Sequence, residues 1–175
     1  MFLKSTSLTL CLFLIFVACE KKIEEKEKEV LRTEDLVIPL DTMGEWVKLV
    51  MKQKEGVLRG FEIGDNIDSV RLKEKAKIHE DNKEKKYITY TFDVDEDFVD
   101  IVYFYNEARK LRSIKVNAVV NGVESFLEDF KKFYDLRYGA GKKINDTLQV
   151  WKAVKGYQIK LYKSSKESSA TILIE

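Results

Sequence analysis

One histidine, two cysteines and 30 carboxylates are the side chains from which this 175-residue chain would have to build chemistry. His79 stands beside Glu80 and Asp81, the makings of an acid–base pair, but the whole stretch from Lys73 to Lys86 is charged apart from a few positions. A lone histidine in such a run reads as a solvated surface residue, and without a second one the ligand set for a transition metal is too short. Asp93, Asp95 and Asp97 fall at positions one, three and five of an EF-hand calcium loop. The sixth position is Phe98 where glycine must turn, and the twelfth is Phe104 where a bidentate glutamate must close the loop. The pattern therefore reads as an acidic hairpin turn.

Gly139-Ala-Gly-Lys142-Lys143 has the outline of a phosphate loop, yet it follows a helical pattern and no Ser or Thr comes after the lysines. It reads as a helix stop. Ser164, Ser165, Ser168 and Ser169 flank Lys166, where only a serine–lysine dyad fits the residue types, because no histidine is at hand for a triad. Glu62 and Asp65 are the carboxylates on which a hydrolase would draw, provided a cleft raised the pKa of one of them. No catalytic residue, metal site or cofactor is assigned.

The N-terminus carries a clearer pattern. Met1 to Lys4 is short and positive, and Leu8 to Val17 is almost uncharged and strongly apolar. Such a run is too short for a membrane span, which takes about 20 residues, and has the length of a signal-peptide core. It stops at Phe16-Val17-Ala18-Cys19, which resembles the lipobox of bacterial lipoproteins, with Phe16 where leucine is usual. The resemblance implies that residues 1–18 are a signal peptide and that Cys19 carries lipid as the first residue of the mature chain. The membrane partner is then reached through that lipid, at a bacterial membrane, with the outer membrane, facing periplasm or surface, as the expected site. Cys11 would be discarded and Cys19 blocked, leaving no thiol and no disulfide.

Loss of residues 1–18 removes one positive charge, Lys4, from the 31 Lys+Arg, which leaves 30 of each sign. A balance of that kind gives no electrostatic footprint for nucleic acid. Residues 19–35 hold the run Glu20-Lys-Lys-Ile-Glu-Glu-Lys-Glu-Lys-Glu29, which cannot bury enough surface to offset the entropy of ordering and reads as a charged tether. About 15 such residues span on the order of 20 Å.

Residues 36–175 read as one α+β domain. Trp46, Val47, Leu49, Val50 and Met51 have helical spacing after a cap at Asp41 or Thr42, and Asp65 or Asn66 caps a short turn through Ile67 and Val70. Ile88 to Val94 and Ile114 to Ala118 alternate, and Phe98 to Tyr105 is β-rich on both faces; all three read as strands joined by short turns. Val123, Phe126, Leu127, Phe130, Phe133, Tyr134 and Tyr138 recur at three and four, after a capping box at Asn121 and Glu124 and before a stop at Gly139. Leu148 to Val154, Tyr157 to Tyr162 and Thr171 to Ile174 follow as strands, with a turn at Lys155-Gly156. The order suggests two α-β-β-β units whose antiparallel sheet has helices on one face and water on the other.

Ile63-Gly64-Asp65 followed by Ile67 and Val70, and Tyr138-Gly139 followed by Trp151, resemble elements of small bacterial envelope proteins with BLIP-like or BamE-like layers. That resemblance implies protein–protein binding, with a protein partner in the cell envelope as inhibitor, immunity protein or accessory subunit. The strand aromatics are the natural anchors: Tyr90, Phe92, Phe104 and Trp151 are expected in the core, and Tyr103, Tyr105 and Tyr162 on the wet, binding face. Two readings of other classes stand beside it, a hydrolase using Glu62 and Asp65 and a carrier of a small apolar ligand held between helix 123–138 and the sheet.

Overall fold

The domain is one eight-stranded antiparallel sheet with three helices against it, its inner strands turning alternate side chains toward the helices. The computed structural model describes residues 36–164 and 168–175. The residues read as signal peptide, lipidated Cys19 and charged tether, and Ser165 and Lys166, lie outside the described residues. Chain order is a 3-10 turn (Leu40–Thr42), α1 (Glu45–Met51), α2 (Ile67–Lys73), β1 (Lys77–Asn82), β2 (Tyr87–Val94), β3 (Asp97–Tyr105), β4 (Leu111–Val119), α3 (Val123–Tyr138), β5 (Lys142–Lys143), β6 (Leu148–Lys152), β7 (Gln158–Lys163) and β8 (Ser169–Ile174).

The spatial order is β1-β2-β3-β4-β8-β7-β6-β5. Each half is a four-stranded meander, and the last strands of the two meanders, β4 and β8, meet in the centre. The expected α-β-β-β units are thus units with four strands. The two additions are β1, inside the charged stretch read as an excursion, and the two-residue β5. Every residue of β1 is at least partly exposed, which is why no apolar alternation announced it.

Local chemistry sets most boundaries where the sequence places them. Asn66 accepts from the Asp68 N–H and caps α2. Gly139 ends α3 with φ +82°, a conformation that favours glycine. Two caps differ from expectation. Residues 40–42 form a separate 3-10 turn, so α1 starts after Gly44 with no side-chain cap. Asn121 likewise makes no box with Glu124; its N–H donates to Asp97 at 2.7 Å and ties the start of α3 to β3.

The core lies between the helices and one face of the sheet. Phe126, Phe130, Phe133 and Tyr134 of α3 are fully buried, and α3 packs on β6, β7 and β8. Their rings form a continuous contact from Trp46 of α1 through Phe126 (5.8 Å), Phe130 (4.7 Å) and Tyr134 (5.9 Å) to Trp151 of β6 (5.4 Å). Offset and edge contacts of this kind add roughly 0.5–1.5 kcal/mol per pair beyond area burial. At the other end, Arg59 and Glu74 form a buried bidentate pair, with Tyr103 donating to the same carboxylate at 3.3 Å. Arg71 of α2 reaches Asp81 of β1 at 2.8 Å, so all three helices cover the same face.

Candidate functional site: the uncovered sheet face

The register assigns every strand residue to the helix side or the open side. Ile88, Tyr103 and Ile114 form one row of the helix side, and Tyr90, Ile101, Val116 and Ile172 form another. Residues of the opposite parity face away from the helices. One row of this open face crosses all eight strands as Glu80, Thr89, Val102, Lys115, Leu173, Lys160, Val150 and Lys142. The next runs Thr91, Asp100, Asn117, Thr171, Tyr162 and Leu148. Tyr87 and Phe104 pair across β2 and β3 with ring centres 5.9 Å apart, and Phe98 pairs with Val119.

Of the three tyrosines expected on this face, Tyr162 is there, half-buried between Thr171 and Leu148. Tyr103 and Tyr105 are not. Both point to the core, Tyr103 with no exposed surface and Tyr105 with 6 %. Tyr103 meets Phe61 edge-on at 5.6 Å and Tyr90 at 5.9 Å, and burial raises its hydroxyl pKa well above the ordinary value. The reason is phase. Phe98 to Tyr105 is apolar on both faces except at Asp100, and Asp100 must face solvent. Residues of its parity, Phe98, Val102 and Phe104, go with it, while Val99, Ile101, Tyr103 and Tyr105 turn inward. Phe104, expected in the core, is therefore an open-face residue, and Arg112 lies over its ring at 5.9 Å. Tyr90 and Trp151 are in the core as expected, and Phe92 is partly buried against it.

Several polar groups on the open face are hydrogen-bonded to one another. The Thr91 hydroxyl donates to Asp100, and Lys160 pairs with Glu175. Hydrogen bonds from Tyr87 and Asn82 hold the Glu80 carboxyl below the usual carboxylate range, and the same contact raises the Tyr87 hydroxyl.

Elsewhere the potential chemical groups have structural employment. Asp65 accepts from the Glu62 N–H at 2.9 Å, and Glu62 pairs with Lys155 at 3.0 Å. His79 is exposed at the register shift of edge strand β1. No group of three His, Cys, Asp or Glu side chains among the described residues could hold a metal ion. Gly141 donates its N–H to Asp135 at 3.0 Å, a helix-stop contact. Arg137 is buried, donates to the Gly56 carbonyl at 2.6 Å and stacks on Tyr138 at 5.4 Å. The aromatic side chains of α3 and Trp151 fill the space between helix and sheet where a carried ligand would sit.

A charged groove between α2 and the β3–β4 turn is lined by Asp68, Arg71, Asp81 and Arg109, and these pair among themselves. Among the described residues no helix is long and apolar enough to cross a membrane. Comparison with known proteins gives no match to a family model, to a curated protein or to a solved structure.

Proposed function

We propose that this chain is a lipid-anchored protein of the bacterial cell envelope that works by binding another protein through the uncovered face of its sheet. One observation carries the reading. A rigid eight-stranded sheet leaves Phe98, Val102, Phe104, Tyr162 and Leu173 at least partly accessible on the side that no helix covers. Apolar and aromatic side chains among hydrogen-bonding neighbours are the composition of a protein-binding surface. Lipid on Cys19 with a charged tether would hold that face near the membrane and raise its local concentration for a partner there.

The test is site-specific photo-crosslinking in native membranes. A photoreactive phenylalanine at position 104 or 162 should capture a defined partner, whereas the same group at Leu136, exposed on α3, should not. Cys19→Ala should release the protein from the membrane fraction and reduce capture. Capture from position 136 alone, or from no position, would defeat the reading.

A further inference from the structure

Charge on the uncovered face is divided unevenly, and the division specifies the partner. On β1 to β3 the open side carries the carboxylates Glu80, Asp93 and Asp100 against one cation, Lys77. On β4 to β8 it carries Lys115, Lys142, Lys152 and Lys160, with Arg112 at the rim over Phe104 and a single carboxylate, Glu175, paired with Lys160. Arg112, Lys115, Lys142 and Lys152 form no ion pair with a described residue. Within this half, the row across the strands alternates without a break: Lys115, Leu173, Lys160, Val150, Lys142. Adjacent strands lie about 4.8 Å apart, so successive cations stand about 10 Å from one another with an aliphatic side chain between them.

We infer that this half of the face seats an acidic segment of a partner protein, one whose carboxylates recur about every 10 Å with apolar side chains between them. The inference rests on the protein-binding reading and adds the chemistry of the partner. An α-helix meets the spacing: residues i, i+7 and i+14 rise by about 10.5 Å per step on one stripe, and residue i+4 falls between them on the same side. The cations would steer encounter and fix register, while Leu173 and Val150 receive the apolar side chains. An anionic lipid surface fits less well. The apolar side chains beside the lysines of this half, Leu148, Val150, Leu173 and Tyr162, are half-buried in the sheet surface and Val119 alone, at the end of β4, is exposed, whereas bilayer insertion rewards a cluster of side chains that protrude.

The experiment uses the purified full-length chain and a helical peptide of about 20 residues with Glu at i, i+7 and i+14 and Leu at i+4 and i+11. Its controls are a scrambled peptide of the same composition and vesicles containing phosphatidylglycerol. The patterned peptide should bind at least tenfold tighter than the scrambled one and should weaken at least tenfold when salt is raised from about 0.05 to about 0.5 M. Lys115→Glu with Lys142→Glu should abolish that preference, and Lys73→Glu with Lys132→Glu, on the helix layer, should leave it within twofold. Equal binding of the two peptides, tighter binding of the vesicles, or indifference to the Lys115 and Lys142 reversal would each overturn the inference. Photo-capture at positions 104 and 162 separates the two levels. If capture persists in the doubly reversed protein, the partner is not acidic and the docking face stands; if wild type captures nothing, the docking face itself is wrong.

Discussion

The Arg59 guanidinium meets the Glu74 carboxylate through two parallel hydrogen bonds, of 2.5 and 2.7 Å, with both side chains almost wholly removed from water. Arg59 also donates to the Val50 carbonyl at 3.2 Å, and Glu74 accepts from the N–H groups of Lys75 and Ala76. The pair therefore joins the end of α1, the loop before α2 and the approach to β1. It is complete as a network, which is the condition under which a buried ion pair is tolerated.

Glu74→Gln should consequently cost about 3–5 kcal/mol in urea unfolding, because Arg59 keeps its charge and loses its counter-ion. The pH dependence has a definite sign. Burial would raise the Glu74 pKa, but Arg59 and the two backbone N–H groups outweigh it and hold the carboxyl below its ordinary value. A lowered folded-state pKa contributes stability that is complete above the ordinary carboxylate range and is lost as pH falls through the lowered value. Unfolding followed from pH 6 to about pH 3 should show a shallower loss in Glu74→Gln than in wild type. A parallel slope would show that other carboxylates govern the acid limb.

Trp151 donates its indole N–H to Asp135 of α3 at 2.9 Å, and Asp135 also accepts from Gly141 and from Lys131. Trp151→Phe keeps an aromatic ring in the core but removes the donor, and a loss of about 1–2 kcal/mol is expected. The check is thermal unfolding of Trp151→Phe, Asp135→Asn and the double variant. Non-additive losses would identify the hydrogen bond itself, and additive ones would assign the effect to packing.

Gly141 lies so close to Trp151 that an added Cβ would come within 2.4 Å of the ring. Gly141→Ala must therefore displace either the indole or the strand β5 that follows, with an expected cost of about 1–3 kcal/mol. Gly64→Ala is the comparison: its Cβ would meet nothing within 4 Å, although φ is +97°, so only backbone strain of about 1 kcal/mol applies. Denaturation midpoints for the two variants separate crowding from strain, and equal losses would refute the crowding account.

How far the sequence could be read follows from where periodicity is strong. Helix α3 and strands β2, β4 and β6 to β8 were legible because apolar residues recur at three and four, or at two, along them, and β3 because it is a run of β-branched and aromatic residues. Strand β1 was not, because an edge strand made of Lys77, Ile78, His79, Glu80, Asp81 and Asn82 buries almost nothing and so has no pattern to show. The open face was half legible. That some strand aromatics must face outward follows from the layer architecture, but β3 is apolar on both sides and offers one clue to its phase, Asp100. Weighting that residue would have placed Phe104 outward and Tyr103 and Tyr105 inward. The alternating lysine row was invisible for another reason: its members come from five strands and meet only once the register is known.

The neighbours Tyr103 and Phe104 give the sharpest contrast, since they are adjacent in sequence and on opposite faces of β3. Tyr103→Ala should cost about 3–5 kcal/mol, the range for large-to-small changes at aromatic core positions, and should also leave Glu74 short of a donor. Phe104→Ala removes only its pairing with Tyr87 and the contact with Arg112, and about 1 kcal/mol or less is expected. Partner capture should divide the other way. With the photoreactive group at position 162, Phe104→Ala should weaken capture several-fold in a protein that remains folded. Tyr103→Phe, which keeps the core ring, should leave capture unchanged. If Phe104→Ala proves as destabilising as Tyr103→Ala, the open face is covered by something on which the fold depends. If Tyr103→Phe abolishes capture while Phe104→Ala does not, the partner engages the helix side, and the assignment of the binding face is wrong.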